Sequence, residues 1–449
     1  MQSQRPPQSQ RERLLDAMIE LAAREGSQNV SVAQVSSRAG VSSATFYEQF
    51  ENKEECMLAA YREAAGRLLV LEPPTPNGQD WTEAAQELIG EVGRAVEQAP
   101  DAARLLFIDT LSGGPRAREA RATALGAFER RVQEFIDSAV AGGNAIDVPA
   151  IALVGAVRSV VARHLRTHSE SRLQALAADG VAWVLSYAVP AGRTPWSTGP
   201  GALLPLATPR ARRNATAQTK RLPRGRHRLP PGVIARSHRT RIIYGTAEVM
   251  RSKGYTSATV ADIVAAAGVS RDVFYEHFSG KQHAFLEAQN HPTQHILQRC
   301  AGAYFGTQEW PVRVWNLLRT LLSMIAENPA ISHLRLVECY AAGTEAIRRA
   351  EDITRSFTIF LEEGYGYRRE AGDLPAVCTQ AIAGAVFEMV QRGVARQDLD
   401  ELQRILPRLT YVCIAPFMGP LAAREFLQEQ VRQERRHAER SRETPAEQT

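Results

Sequence analysis

The segment Ala39-Gly-Val-Ser-Ser-Ala-Thr-Phe-Tyr-Glu-Gln-Phe-Glu-Asn-Lys53 recurs as Ala267-Gly-Val-Ser-Arg-Asp-Val-Phe-Tyr-Glu-His-Phe-Ser-Gly-Lys281, an offset of 228 residues. No other feature constrains the fold as tightly, because a long internal repeat fixes the architecture of both halves at once. The match extends in both directions. Upstream, Ser9-Gln-Arg-Glu-Arg-Leu-Leu parallels Ser237-His-Arg-Thr-Arg-Ile-Ile, and Gly26 parallels Gly254. Downstream, Gln79-Asp-Trp81 parallels Gln308-Glu-Trp310, Pro100 parallels Pro329, and Gly114 parallels Gly343. Later still, Val148-Pro-Ala150 parallels Leu374-Pro-Ala376, and Pro190 parallels Pro416. Preserved order with small drifts in offset describes a duplicated two-domain unit.

Each copy reads as all-α. Leu14, Leu15, Met18, Leu21 and Ala22 recur at helical spacing and stop at Gly26; Ile242, Ile243, Ala247, Val249 and Met250 do the same before Gly254. Ser31-Val-Ala-Gln34 and Thr259-Val-Ala-Asp262 place a hydroxyl three residues before a polar acceptor, the capping-box pattern or its near relative. Helical stretches are expected over 83–97, 115–140, 149–165 and 173–187, and over 312–327, 344–363, 375–391 and 399–412. No segment alternates cleanly enough to predict a sheet. The expected division is a DNA-binding domain at 1–58, a helical domain at 59–190, a linker at 191–232, a second DNA-binding domain at 233–286, a second helical domain at 287–427 and a charged tail at 428–449. The linker is rich in Pro, Gly and Arg and reads as flexible and extended. Its basic end, Leu222-Pro-Arg-Gly-Arg-His-Arg228, reads either as an arm for the minor groove or phosphates, or as a solvated linker. The tail reads as a frayed helix ending in disorder.

Composition excludes several classes. No apolar run reaches the roughly 18 residues of a membrane span, so no membrane partner is expected. The start, Met-Gln-Ser-Gln-Arg-Pro-Pro, has no apolar signal core. Five scattered cysteines without paired spacing predict a reduced, cytoplasmic setting, no metal site and no cofactor. No phosphate-binding loop, nucleophile elbow or zinc-hydrolase signature is present, so no enzyme is expected. Net charge is distributed unequally. Residues 1–58 hold six Lys/Arg against eight Asp/Glu, a balance of −2, whereas residues 222–286 hold ten against four, a balance of +6. The second copy should attract phosphate more strongly.

The repeated motif suits DNA. Gly40 and Gly268 supply the positive φ that a tight turn needs. Ser42 and Ser270 are good N-caps for the following helix, whose free N–H groups favour an anion. Phe46 and Phe50, like Phe274 and Phe278, are four apart and read as core. Tyr47 and Tyr275 fall on a neighbouring face, able to reach a phosphate or to pack. Lys53 and Lys281 begin the next helix and can neutralise a phosphate. Ser31 and Thr259 can donate to the backbone from the other side of the groove. The base-reading positions diverge: Ser43, Ala44 and Thr45 stand where the second copy has Arg271, Asp272 and Val273. Arg271 can grip guanine, Asp272 can accept from cytosine N4, and Val273 can meet a thymine methyl. An asymmetric operator is therefore expected.

These residues resemble the TetR family of bacterial transcriptional regulators, whose motif runs roughly Thr-x-x-x-Ile-Ala-x-x-Ala-Gly-Val-Ser-x-Gly-Thr-x-Tyr-x-His-Phe-x-Ser-Lys-Glu. The likeness covers about fifty residues in each copy. Its Gly-Thr is Ala44-Thr45 here and Asp272-Val273 in the second copy; its His is Gln49 and then His277. The resemblance implies double-stranded DNA as partner and a two-fold dimer placing two recognition helices in successive major grooves. It further implies a small-molecule effector in the helical domain that releases DNA. Two fused units suggest a pseudo-dimer within one chain, possible further homodimerisation aside, and a ligand-relieved repressor. The competing reading is a ligand-sensing or protein-interaction module whose helix-turn-helices have lost specific DNA binding. Trp81 and Trp310 read as anchors of the first helix of each helical domain, or as ligand-stacking groups. Phe107, Arg158 and His164, and Glu338, Tyr340 and Glu388, are loose effector-site candidates.

Overall fold

A computed structural model describes residues 8–27, 29–69, 81–108, 114–139, 144–167, 173, 176–190, 196, 199, 204, 230–291 and 293–443. The basic arm at 222–228 and the last six residues lie outside these. The described residues are almost wholly helical and form two contact units. One is built from residues up to 138 and from 157–181; the other is built from 139–156 and from 182 onward.

In the first unit, α1 (Gln10–Glu25) starts on a reciprocal capping box between Ser9 and Glu12 and ends at Gly26, φ 80°. It buries Leu14, Leu15, Met18 and Ala22, the stripe expected from their spacing. Next come α2 (Val32–Ala39) and α3 (Ser43–Gln49), then α4 (Lys53–Leu69). The helical region contains α5 (Trp81–Gln98), α6 (Pro100–Phe107, opened by its proline) and α7 (Gly114–Ser138). The Trp81 indole donates to the Phe135 carbonyl at 3.2 Å and stacks on the Phe135 ring, fastening α5 to α7. Helix α8 (Ala150–Thr167) and helix α9 (Leu176–Leu185) each contribute residues to both units.

The second unit opens with a feature the sequence did not predict. Strand β1 (Asn144–Ile146) pairs antiparallel with β2 (Ala188–Pro190), Ala145 opposite Val189. Three residues are too few for alternation to show as a pattern, so periodicity could not have found them. This unit then repeats the plan: α10 (Pro231–Lys253), α11 (Val260–Ala267), α12 (Arg271–His277) and α13 (Lys281–Asn290), followed by α14 (Thr293–Tyr304), α15 (Trp310–Glu327) and α16 (Pro329–Leu336). The Trp310 indole donates to the Phe360 carbonyl at 3.1 Å, the counterpart of Trp81. Last come α17 (Thr344–Ser356), α18 (Ile359–Glu362), α19 (Val377–Arg396), α20 (Leu399–Arg404), α21 (Leu406–Met418) and α22 (Pro420–Glu443).

Two expected helices are broken. The stretch 344–363 parts after Ser356, and 399–412 parts at Ile405. Pro407 explains the second break: it has no N–H to donate and disfavours helical geometry in the residue before it. Helix α21, which contains it, is buried from Leu406 to Phe417 except at the half-buried Arg408.

Within the stretch expected as a linker, the described residues Trp196 and Leu204 have partners in the second unit. Trp196 is buried with its ring 5.3 Å from that of Tyr411, and the Leu204 amide donates to the Arg404 carbonyl at 2.8 Å. The tail continues α22 as helix to Glu443; Ala423 and Leu427 bury the inner face of that helix before the tail, and Val431 does so within it.

Candidate nucleic-acid interface and effector cavity

The two helix-turn-helices make the same capping and turn hydrogen bonds. Ser31 and Thr259 cap α2 and α11 through reciprocal boxes with Gln34 and Asp262. The turns are left-handed at Gly40 (φ 66°, ψ 40°) and Gly268 (φ 62°, ψ 41°), which a residue with a Cβ would adopt at a cost. Ser42 accepts from the Thr45 amide at 3.0 Å, and Ser270 from the Val273 amide at 3.2 Å. Phe46, Phe50, Phe274 and Phe278 are buried and hold each recognition helix to its scaffold.

What remains exposed is the divergent set. Ser43 and Ala44 face solvent and Thr45 is half-buried; Arg271 and Asp272 face solvent and Val273 is half-buried. Tyr47 and Tyr275 are 59% and 48% exposed, large for aromatic side chains and suited to a phosphate oxygen. Arg271 lies over the Tyr275 ring at 5.8 Å, so the two form one cationic edge. His277 is half-buried, 6.4 Å from the His238 ring.

Two groups of expected DNA contacts also make bonds within the protein. The Lys281 ammonium donates to the carbonyls of Tyr255 (2.8 Å) and Ala258 (2.9 Å), and the Lys53 ammonium donates to Val30 (2.8 Å) and Ser27 (3.4 Å). These are the same loop positions in both copies. Each lysine ties the loop after the first helix to the helix behind the recognition helix, and burial pulls Lys281 below its ordinary pKa. The hydroxyls of Ser31 and Thr259 donate to the side chains of Gln34 and Asp262 at 2.7 and 2.8 Å.

A contact missed from the sequence is Arg241. It is buried, and its Nη2 donates to the carbonyls of Ala267 (2.6 Å) and Gly268 (2.5 Å), the end of α11 and the turn. It sits in the repeated block as the partner of Arg13, and that repetition is the signal the sequence carries for it. Two cations from outside residues 1–58 offset the acidity of the first copy: Arg67 pairs with Asp16 at 2.6 Å and Arg116 with Glu55 at 2.6 Å.

The second unit encloses a cavity of about 500 Å³, within the range of small-molecule sites. Its body is apolar, with Leu317, Met324, Ile353, Phe357 and Val390 among the walls. Tyr244 of α10 and His291, which follows α13, also line it. The helices that support the recognition helix therefore form part of the wall. Glu338, Tyr340 and Glu388 do not line this cavity. Glu338 is 1% exposed and instead accepts from the Tyr255 amide at 2.7 Å, joining the helical domain to the loop of the helix-turn-helix. Glu388 pairs with Arg392 at 3.6 Å. In the first unit Phe107 and Arg158 are buried and His164 is half-buried.

The family model described as bacterial regulatory proteins, tetR family, matches residues 14–60 and again residues 242–288. No curated protein matches the chain. Among solved structures, the fatty acid degradation regulator FadR from Bacillus halodurans is 16% identical with a TM-score of 0.34, covering 40% of this chain and 97% of that one. PfmR, a TetR family transcriptional regulator from Thermus thermophilus, is 19% identical with a TM-score of 0.34, covering 40% and 97%. A TetR family transcription regulator from Marinobacter aquaeolei is 21% identical with a TM-score of 0.31, covering 38% and 94%.

Proposed function

Because this chain carries two tandem domains of the tetR family of bacterial regulatory proteins, we propose that it is a transcriptional repressor that reads an asymmetric operator and lets go when its cavity fills. The carrying observation is the pairing of identical scaffolds with unlike exposed residues. Gly40 and Gly268, Ser42 and Ser270, Lys53 and Lys281 do the same structural work in both copies. Ser43, Thr45 and Tyr47 on one recognition helix, and Arg271, Asp272, Tyr275 and His277 on the other, are the proposed contacts to DNA. Base reading by Arg271 and Asp272 would then differ from that of the first copy at every step.

The two repeats would act as a pseudo-dimer inside one chain, with 1–58 and 233–286 as its DNA-binding heads. Packing within the second contact unit supports this. The first-repeat residues Asp147 and Tyr187 bond to second-repeat partners: the Tyr411 hydroxyl donates to Asp147 at 3.0 Å, and the Tyr187 hydroxyl donates to the Val412 carbonyl at 2.7 Å. Gly155 in α8 lies so close to α19 that a Cβ there would come within 2.5 Å of the Glu388 Cβ.

Selection of binding sites from random duplex DNA with the full chain tests the reading. Two unlike half-sites are expected, with affinity falling steeply as salt rises. A palindrome would refute the asymmetry, and no selected sequence at all would favour the module without specific DNA binding. Tyr275→Phe should weaken binding similarly across sequences, whereas Arg271→Ala should relax preference at one position.

A further inference from the structure

The charged side chains in the wall of the second unit's cavity bond to other groups of the protein. Arg299 pairs with Glu327 at 2.8 Å, and the Ser323 hydroxyl donates to the same carboxylate at 3.1 Å. His295 acts on that carboxylate electrostatically. Arg335 donates through Nη1 to the Gln289 carbonyl at 2.9 Å, in the last turn of α13. The hydroxyls of Ser332 and Thr354 donate to the carbonyls of Ile325 (3.4 Å) and Ala350 (3.1 Å). Two adjacent polar side chains of the wall differ. Among the described residues, no other residue hydrogen-bonds to the Tyr244 hydroxyl or to the His291 ring, and the two rings lie 6.1 Å apart.

Both groups are uncharged under ordinary conditions. Burial lowers His291 below the usual imidazole value and raises Tyr244 above the usual phenol value. Arg239 and Glu287 act on His291 with opposite signs and are themselves paired. Above neutral pH the site therefore offers a phenol, which donates and accepts, and an imidazole with one donor and one acceptor nitrogen. Its place is the rim. His291, His295 and Leu297 are exposed lining residues, whereas Leu317, Met324 and Val390 are buried in the wall.

We propose that this cavity takes an uncharged amphipathic molecule, with a hydroxyl end between Tyr244 and His291 at the rim and an apolar body against Leu317, Met324 and Val390. The inference rests on the reading of this cavity as the effector site and names the chemistry that site would select. A ligand hydroxyl accepts from the phenol and donates to the imidazole, replacing the bonds it made to water. A carboxylate or an ammonium at the same place would exchange its hydration for two neutral partners, a poor trade for an ion. Tyr244 lies in α10 and His291 directly follows α13, so the polar end would be held by the helices that support the recognition helix.

Calorimetric titration of the full chain at pH 8, free of DNA, tests the proposal with four probes of one skeleton: 4-butylphenol, butylbenzene, 4-butylbenzoate and (4-butylphenyl)trimethylammonium. Butylphenol should bind about fivefold more tightly than butylbenzene, the contribution of a neutral hydrogen bond, and at least tenfold more tightly than either ion. Tyr244→Phe should cost butylphenol at least threefold and leave butylbenzene within twofold, and His291→Phe should do the same. A merely structural role would weaken both probes alike. Should Tyr244→Phe fail to fold, the exposed His291→Phe carries the same comparison. Benzoate bound as tightly as the phenol, equal losses of phenol and butylbenzene in the variants, or no binding of the phenol would each overturn it. A gel shift with selected DNA separates the two readings. Butylphenol that binds as described without releasing DNA refutes ligand-relieved repression but leaves the site standing. Specific DNA binding in a chain that ignores butylphenol refutes the site alone.

Discussion

Lys281→Met separates an anchoring lysine from a DNA-contacting one. Methionine keeps most of the apolar stem and removes the ammonium, which donates to the carbonyls of Tyr255 and Ala258 and lies 4.4 Å from the Tyr255 ring centroid. A hydrogen bond to a charged group contributes roughly 1.5–3 kcal/mol, and a cation over an aromatic ring adds about 0.5–1 kcal/mol where exposed. Lys281 is only half-buried, so water recovers part of what is lost and screening trims the rest; about 2 kcal/mol is a reasonable net cost. At 1.4 kcal/mol per decade that cost is roughly a 30-fold change in a local opening equilibrium. The assay is native-state hydrogen exchange of the amides at 255–258, run beside operator affinity over a range of salt. The anchoring role predicts lower protection in that loop with an unchanged slope of log affinity against log salt. A phosphate contact predicts the opposite, with protection intact and the slope reduced by about 0.9. That second pattern would refute the structural reasoning.

Three further outcomes follow from the packing and the titrating groups. Gly155→Ala should destabilise the chain by about 1–3 kcal/mol in denaturant unfolding, although alanine is the better helix former, because its Cβ would meet Glu388 at 2.5 Å. Asp262 is held down to about 2, chiefly by its bond with Lys253 and then by those from Thr259. Its folded pKa lies below the ordinary 3.8, so its stabilisation is present above that value and is lost as pH falls toward 2. Asp262→Asn should flatten the acid limb of stability there, as followed by circular dichroism. Burial raises the thiols of Cys56 to about 12 and Cys300 to about 11. Iodoacetamide at pH 8 should therefore label the native chain slowly and the urea-unfolded chain fast, and a cavity ligand should slow Cys300 further because that residue lines the wall.

Local rules made the two DNA-binding domains readable. The capping residue, the glycine at positive φ and the phenylalanine spacing all act within about one helical turn, so Ser31, Gly40 and Phe46 declare their roles in the sequence. The roles that escaped are those that depend on distant chain. Lys281 reads as a phosphate ligand until the loop 26 residues upstream is placed beneath its ammonium. Glu338 reads as a pocket acid until the Tyr255 amide, 83 residues away, is brought to it. Arg335 carries no sequence signal at all. It follows an ordinary amphipathic pattern in α16, and only the burial of one face against α13 makes its charge notable.

The scaffold of the second copy is locked by directional bonds that reach across its domain boundary. In the second copy Arg241 closes on the carbonyls of Ala267 and Gly268, Lys281 holds the loop, Glu338 grips Tyr255, and Gln289 bonds both ways across the domain boundary. Gln289 donates to the Ala346 carbonyl at 2.8 Å and its own carbonyl accepts from Arg335. A displacement of Arg335 would thus pass into α13, and α13 begins at the lysine that fixes the loop behind the recognition helix. Rigid elements joined by a few directional bonds move together, and breaking one such bond shifts the balance between arrangements only by the differential affinity of the ligand for the two. A tenfold preference for the displaced form supplies about 1.4 kcal/mol. Under the proposed function that would weaken one head of a two-headed reader severalfold, and because binding through two linked heads multiplies their contributions, loss at one head would reduce the affinity of the whole. Under the proposed function, ligand relief would need a working effector site in only one of the two halves.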